Sequence, residues 1–221
     1  MHVIIKAEGY GRRLAPLTNQ IPKPMLSLSP EVSIISRLIS QLEICGFESI
    51  TLTLGYRGDQ IQSHLDTYNF AIPIYYVYST DGHPSGTATC VANVCRDWHR
   101  PFLLLSADIY TDYRFDQLRN QTPQWGHLVL VHPPSFAPNG DFHLQQGRLD
   151  PKRGPRMTYA NIAVVHPQSY RIIPCPKEEG DLWRQYIDKG HLLTGESFHG
   201  TWINIGTPTL LHQAQRLEKT S

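Results

Sequence analysis

Three cations and two glycines crowd one short segment near the start of the chain. "GYGRRLAPLTNQIPKPML" runs from Gly9 to Leu26 and carries Arg12, Arg13 and Lys23. Gly9 and Gly11 let the backbone approach a ligand closely and turn amides toward it. Arg grips phosphate oxygens through paired N–H bonds, whereas Lys acts as a mobile point charge. The sequence "PKP" holds Lys23 between two rings with fixed φ. A lone G-x-G on an exposed basic loop would mean little. Glycines, paired arginines and a proline-flanked lysine together point to a polyphosphate. A second candidate is Asp108, which ends the apolar run "PFLLLSAD" and suits a divalent cation.

The surrounding elements decide whether these groups can meet. "HVIIKA", "ESITLTLGY", "IPIYYVYS" and "PFLLLSAD" read as strands. "PEVSIISRLISQLEICG", "GDQIQSHLDTY" and "GTATCVANVCR" read as helices between them, and Gly46 stops the first. Such alternation over about 110 residues predicts a mostly parallel α/β sheet with helices on both faces. Ligands bind beyond the carboxyl ends of such strands, where both the glycine loop and Asp108 would lie. Further on, the pattern predicts a short helix at "DYRFDQLRN", a strand at "GHLVLVHP" and a hairpin across 139–154. Then come a strand at "RMTYANIAVVHP", a helix at "GDLWRQYIDKG", one strand at "FHGTWINIG" and a last helix capped by Thr207.

With 221 residues the chain fits one domain, 1–221, and no linker or repeat divides it. Lys plus Arg is 20 and Asp plus Glu is 19, so no charge excess suggests nucleic acid or an acidic membrane, and any anion site is local. Cys45, Cys90, Cys95 and Cys175 form no C-x-x-C pair and read as buried thiols. The eleven histidines show no ligand spacing. No run is apolar enough for a signal peptide or a membrane span, so a cytoplasmic location is expected.

The segment from Gly9 to Pro24 matches the pattern G-x-G-x-R-[ML]-x-P-L-T-x-x-x-P-K-P, and so resembles the signature of sugar-1-phosphate nucleotidyltransferases. "LLLSADIYTDYRF", "GDF", "NIAVVHP" and "GTWINIGTP" resemble later landmarks of that family. The single-domain length and their order are most similar to N-acetylmuramate 1-phosphate uridylyltransferases. The resemblance implies a Rossmann-like three-layer α/β/α fold of the GT-A kind. It also implies Mg²⁺, a nucleoside triphosphate, UTP above others, and a sugar 1-phosphate. Arg13, Lys23 and Asp108 take the catalytic positions, and Asp108 and Asn204 those of the metal. Ala7, Glu8, Gly9, Gly11, Arg12, Gly86, Thr87 and Ala107 fall where the nucleotide binds, and Asp141, Asn161 and Glu196 where the sugar binds.

Several positions depart from the family pattern. Glu8 replaces a small residue, and its carboxylate would repel phosphate unless it points away or pairs, Lys6 being a candidate partner. Thr89 stands for a glycine in "GTAT", Ala107 for the glycine before the metal aspartate, and Asn161 for a glycine near the sugar. Asn204 replaces the second metal carboxylate, and Glu178 or Glu179 lies near a position that is often lysine. Asp112 could assist the metal or cap the next helix, capping being commoner. Asp141 could approach the sugar or sit in a turn. Trp202 reads as core packing before ligand stacking, and Tyr75, Tyr76 and Tyr78 as packing. Two functions follow: an enzyme that releases pyrophosphate, and a catalytically impaired relative that still binds a nucleotide or nucleotide sugar.

Overall fold

The computed structural model describes residues 1–79, 87–135, 137–172 and 179–220. Gly86, Cys175 and Glu178 fall outside them, as do the side chains of Thr87 and Glu179. In chain order the strands are β1 (His2–Ala7), β2 (Ser27–Ser29), β3 (Val32–Ser33), β4 (Ser49–Leu54), β5 (Ile74–Tyr78), β6 (Phe102–Ser106), β7 (Ile109–Thr111), β8 (Gly126–Val131), β9 (Phe142–Gln145), β10 (Arg148–Asp150), β11 (Arg156–Val165), β12 (Thr194–Phe198) and β13 (Trp202–Asn204). The α-helices are α1 (Ile34–Ile44), α2 (Gly58–Leu65), α3 (Thr87–Val94), α4 (Ser169–Ile172), α5 (Glu179–Asp188) and α6 (Pro208–Glu218).

One sheet organises the chain in the order β5-β4-β1-β6-β11-β8-β12-β10-β9. The first four strands are parallel, as the βαβ alternation predicts. β11 then enters antiparallel between β6 and β8, and β8 and β12 run parallel to each other. Strand periodicity sorts the core into layers. Val3 and Ile5 pack with Leu38 and Ile39 of α1 and Ile61 of α2, while Ile4 packs on the other face with Val91 of α3 and Trp183 of α5. A smaller cluster, including Leu14, Ile203 and Leu211, anchors the glycine loop and β13 to α6.

Local chemistry explains the helix ends. Ser33 caps α1 in a reciprocal capping box with Ser36, and Gly46 follows it at φ +71. Thr207 caps α6 with Pro208 in its first turn, as the sequence predicts. Three expectations need correction. "FHGTWINIG" is not one strand: its Phe198 ends β12 in the main sheet, and β13 pairs with β7 in a separate ribbon. The segment after Asp112 forms a 3₁₀ turn, Phe115–Leu118, and Asp112 does not cap it; its Oδ1 accepts the Thr201 N–H at 2.8 Å. Of the three tyrosines, Tyr76 packs against the core, but Tyr75 and Tyr78 stand 58% and 48% exposed on the sheet edge. Cys90 and Cys95 are buried, and Cys45 is partly so. Among the described residues, no helix is long and apolar enough to cross a membrane.

Candidate active site

β1 ends at Ala7, and the chain turns through Glu8, Gly9 and Gly11 into short 3₁₀ segments, Arg12–Leu14, Leu17–Asn19 and Lys23–Met25. Gly11 sits at φ +65, and a Cβ there would meet Thr18 and the Lys23 side chain at 3.0–3.1 Å. Glycine is therefore required twice over, by conformation and by space. The Thr18 hydroxyl donates to Gly11 O at 3.0 Å and closes the loop. Lys23 is nine-tenths buried, and its ammonium hydrogen-bonds the Asp108 carboxylate. The loop after β1 and the end of β6, 85 residues apart in sequence, thus present opposite charges to each other.

This pair lines a cleft of about 270 Å³ together with Lys6, Gly9, Ala107 and Asn161. Ala7 and Glu8 contribute to the same wall. An adjoining hollow of about 190 Å³ shares Gly11 and Lys23 and is walled by Arg12, Arg13 and Gly206. There the Arg13 guanidinium lies so close that a Cβ on Gly206 would come within 3.0 Å of it. Arg12 is exposed, its guanidinium 4.9 Å from the Tyr10 ring centroid. Two guanidiniums, an ammonium and two glycines so border two adjoining hollows, a composition suited to a polyphosphate.

Burial pushes the Asp108 carboxyl up, but the Lys23 ammonium, the Ser106 hydroxyl at 2.6 Å and the more distant Lys6 together hold it below its ordinary value. Asp108 is anionic at neutral pH. Its backbone O accepts the Ile205 N–H at 2.9 Å, and Asn204 stands opposite Ile109 across the β7–β13 ribbon. The Asn204 Oδ1 is buried and makes no hydrogen bond. Asn204 lines neither hollow, but a carboxylate and an unsatisfied amide oxygen are both ligand types a hard cation accepts along with waters and phosphate oxygens.

Glu8 is 1% exposed. Burial, then the Glu8 charge, pushes the neighbouring Cys90 thiol of α3 up to about 12. Asn161 occupies φ +57, which asparagine tolerates and glycine adopts freely. That conformation accounts for asparagine standing at a position resembling a glycine. Asn161→Gly should leave urea stability within about 0.5 kcal/mol of the parent, whereas Asn161→Val should lose about 1–2 kcal/mol, because a β-branched residue resists the left-handed region.

Two expected sugar positions lie outside this cleft. Asp141 accepts the Tyr159 N–H at 2.9 Å and faces Arg184 in a neighbouring hollow of about 210 Å³. Glu196 accepts from the Tyr113 hydroxyl and faces His127 Nε2 at 3.4 Å. The His127 contact, against the opposing effect of burial, holds the Glu196 carboxyl below its ordinary value. Sequence reasoning overlooked Ser106 and Gly206, whose roles depend on what they touch rather than on side-chain type.

Residues 2–135 match the family model described as nucleotidyl transferase. The chain belongs to that family. Among nucleotidyl transferases, an N-acetylmuramate alpha-1-phosphate uridylyltransferase of Neisseria meningitidis serogroup B is 26% identical over 98% of this chain and 98% of its own length. A mannose-1-phosphate guanyltransferase of Emericella nidulans is 31% identical over 94% of this chain, which spans 61% of that protein. The solved structure of HddC from Yersinia pseudotuberculosis superposes with a TM-score of 0.80 at 20% identity, covering 100% of this chain and 99% of that one. UDP-glucose pyrophosphorylase complexed with UDP-glucose superposes with a TM-score of 0.77 at 15% identity, covering 99% and 98%. These likenesses bear out the Rossmann-like α/β fold.

Proposed function

We propose that this nucleotidyl transferase joins the nucleoside monophosphate of a triphosphate to a sugar 1-phosphate and releases pyrophosphate. The observation that supports this most is the meeting of Lys23 and Asp108 beside the glycine loop. An oxygen of the sugar phosphate attacks the α-phosphorus, the bond from that phosphorus to the β-phosphate oxygen breaks, and pyrophosphate departs. Negative charge spreads over non-bridging oxygens in the transition state. Catalysis is then alignment and charge neutralisation. Arg13 and the amides beyond Gly9 hold the triphosphate, and Lys23 neutralises the phosphates on both sides of the reacting centre. Asp108 and the Asn204 Oδ1 would hold Mg²⁺, which when bound neutralises phosphate oxygens. Asn161 borders the sugar side. The continuous main sheet supports reading residues 1–221 as one domain.

UTP is the favoured nucleotide, and N-acetylmuramate 1-phosphate the first sugar to test. The support is the Neisseria meningitidis relative, whose full length this chain matches. The deciding experiment is pyrophosphate release with Mg²⁺ from UTP plus N-acetylmuramate 1-phosphate and from GTP plus mannose 1-phosphate. Release above an enzyme-free control is expected, the uridine pair being faster. No release from either pair, with UTP still raising the melting temperature, would leave the non-catalytic nucleotide-binding relative as the better account.

A further inference from the structure

β11 is regular except at one place. It pairs with β8 as Tyr159↔Leu130 and then as Ala163↔Leu128, so residues 160–162 stand opposite Val129 alone. A bulge of this size re-aims a side chain and takes backbone groups out of the ladder. Here it carries Asn161, at φ +57, into the wall of the cleft. Ala160 within the bulge is fully buried, and its carbonyl accepts the Trp202 indole N–H at 2.9 Å. The rest of the Trp202 ring packs against the main core. Two residues after Trp202 on the same strand comes Asn204, and the next N–H, of Ile205, holds the Asp108 carbonyl.

We propose that Trp202 is a positioning residue: its indole N–H fixes the bulge that presents Asn161, and β13 thereby ties the sugar side of the cleft to Asp108. The alternatives for this indole are poorer. An aromatic side chain serving only to fill the core has no need of a directed N–H, and phenylalanine would supply the same apolar ring. The bond instead satisfies a buried carbonyl that the ladder to β8 leaves out. Pairing of Ile162 with Leu105 ties the bulge to β6 on one side, and β13, reaching both the Ala160 carbonyl and the Asp108 carbonyl within three residues, adds a second tie that acts on the bulge itself. This inference deepens the reading as a sugar-1-phosphate nucleotidyltransferase and rests on it for its kinetic consequence, though not for its structural one.

Trp202→Phe keeps the ring and removes the donor. Hydrogen exchange followed by mass spectrometry should show peptides from β11 exchanging about tenfold faster, with β4 and β5, which do not touch β11, unchanged. The KM for the sugar 1-phosphate should rise about tenfold while that for the nucleotide stays put, since loosened aim falls on one substrate. Unchanged exchange in β11, or both KM values moving together, would overturn the proposal. If the parent chain turns over neither pair, the functional reading fails, but the exchange measurement still decides whether Trp202 braces the bulge. Should the variant not fold, NMR of the parent decides. An indole N–H of Trp202 that is protected, and shifted by saturating N-acetylmuramate 1-phosphate, supports the role. One that exchanges freely or does not shift overturns it.

Discussion

Lys23→Met lowers the rate of pyrophosphate release by about 10²–10³-fold, the effect expected when one pre-aimed charge on a developing anion is removed. The reasons lie in how the structure prepares this ammonium. Lys23 is nine-tenths buried, and prolines on both sides hold its backbone, Pro22 being extended at φ −62. Asp108 is its partner before substrate arrives, so the side chain is already ordered within the cleft and little rotamer entropy remains to be lost. Methionine keeps the length and the apolar stem, so the loss reports charge. Steady-state kinetics with both substrates check this. A rate within threefold of the parent would remove Lys23 from the reaction. Lys23→Arg restores the charge, but its planar fork cannot occupy a site shaped around an ammonium already bonded to Asp108, so rescue should be poor.

The meeting of Lys23 with Asp108 was legible because the loop after the first strand and the end of β6 both open on the carboxyl edge of a βαβ sheet, where such segments come together. Glu8 was harder. Its charge suggests conflict with phosphate, yet it is buried, 1% exposed, and close enough to Cys90 of α3 to raise that thiol. Nor did "TYANIAVV" show its bulge. Local propensity favours an unbroken strand there, while the Trp202 contact comes from 42 residues away. The division of β12 from β13 was hidden for a similar reason. It turns at Gly200, where any Cβ would strike the Phe198 ring and Asp112, a crowding that only the folded chain creates. Asp141 and Glu196 show a limit of another kind. Resemblance implies a sugar-side role for both, and the structure adds only that their partners are Tyr159 with Arg184, and Tyr113 with His127. Hydrogen bonding of that sort is set by neighbouring strands and leaves no mark in residue type.

Asn204→Asp should make the protein bind Mg²⁺ at least tenfold more tightly and reach half-maximal activity at correspondingly lower Mg²⁺. The buried Oδ1 of Asn204 lacks a hydrogen-bond partner, an arrangement that costs stability unless an electropositive ligand completes it. Aspartate keeps the oxygen and adds a charge. Two unit charges about 4 Å apart interact by roughly 4 kcal/mol at an effective dielectric near 20, and tenfold in affinity requires only about 1.4 kcal/mol. Desolvating the new carboxylate consumes part of the difference, which is why the expected gain is tenfold rather than larger. The same change has the opposite sign without metal. A second carboxylate beside Asp108 is then opposed by like charge, and Lys23 is the nearest cation already bonded there. In chelator, Asn204→Asp should therefore melt several degrees below the parent, since about 1 kcal/mol shifts a chain of this size by 2–4 °C. In millimolar Mg²⁺ the order should reverse. Calorimetric titration of Mg²⁺ and melting curves with and without chelator test both halves. Equal Mg²⁺ affinity in the two proteins would mean that the Asn204 oxygen does not face the ion, and the metal would then rest on Asp108 and substrate phosphates alone.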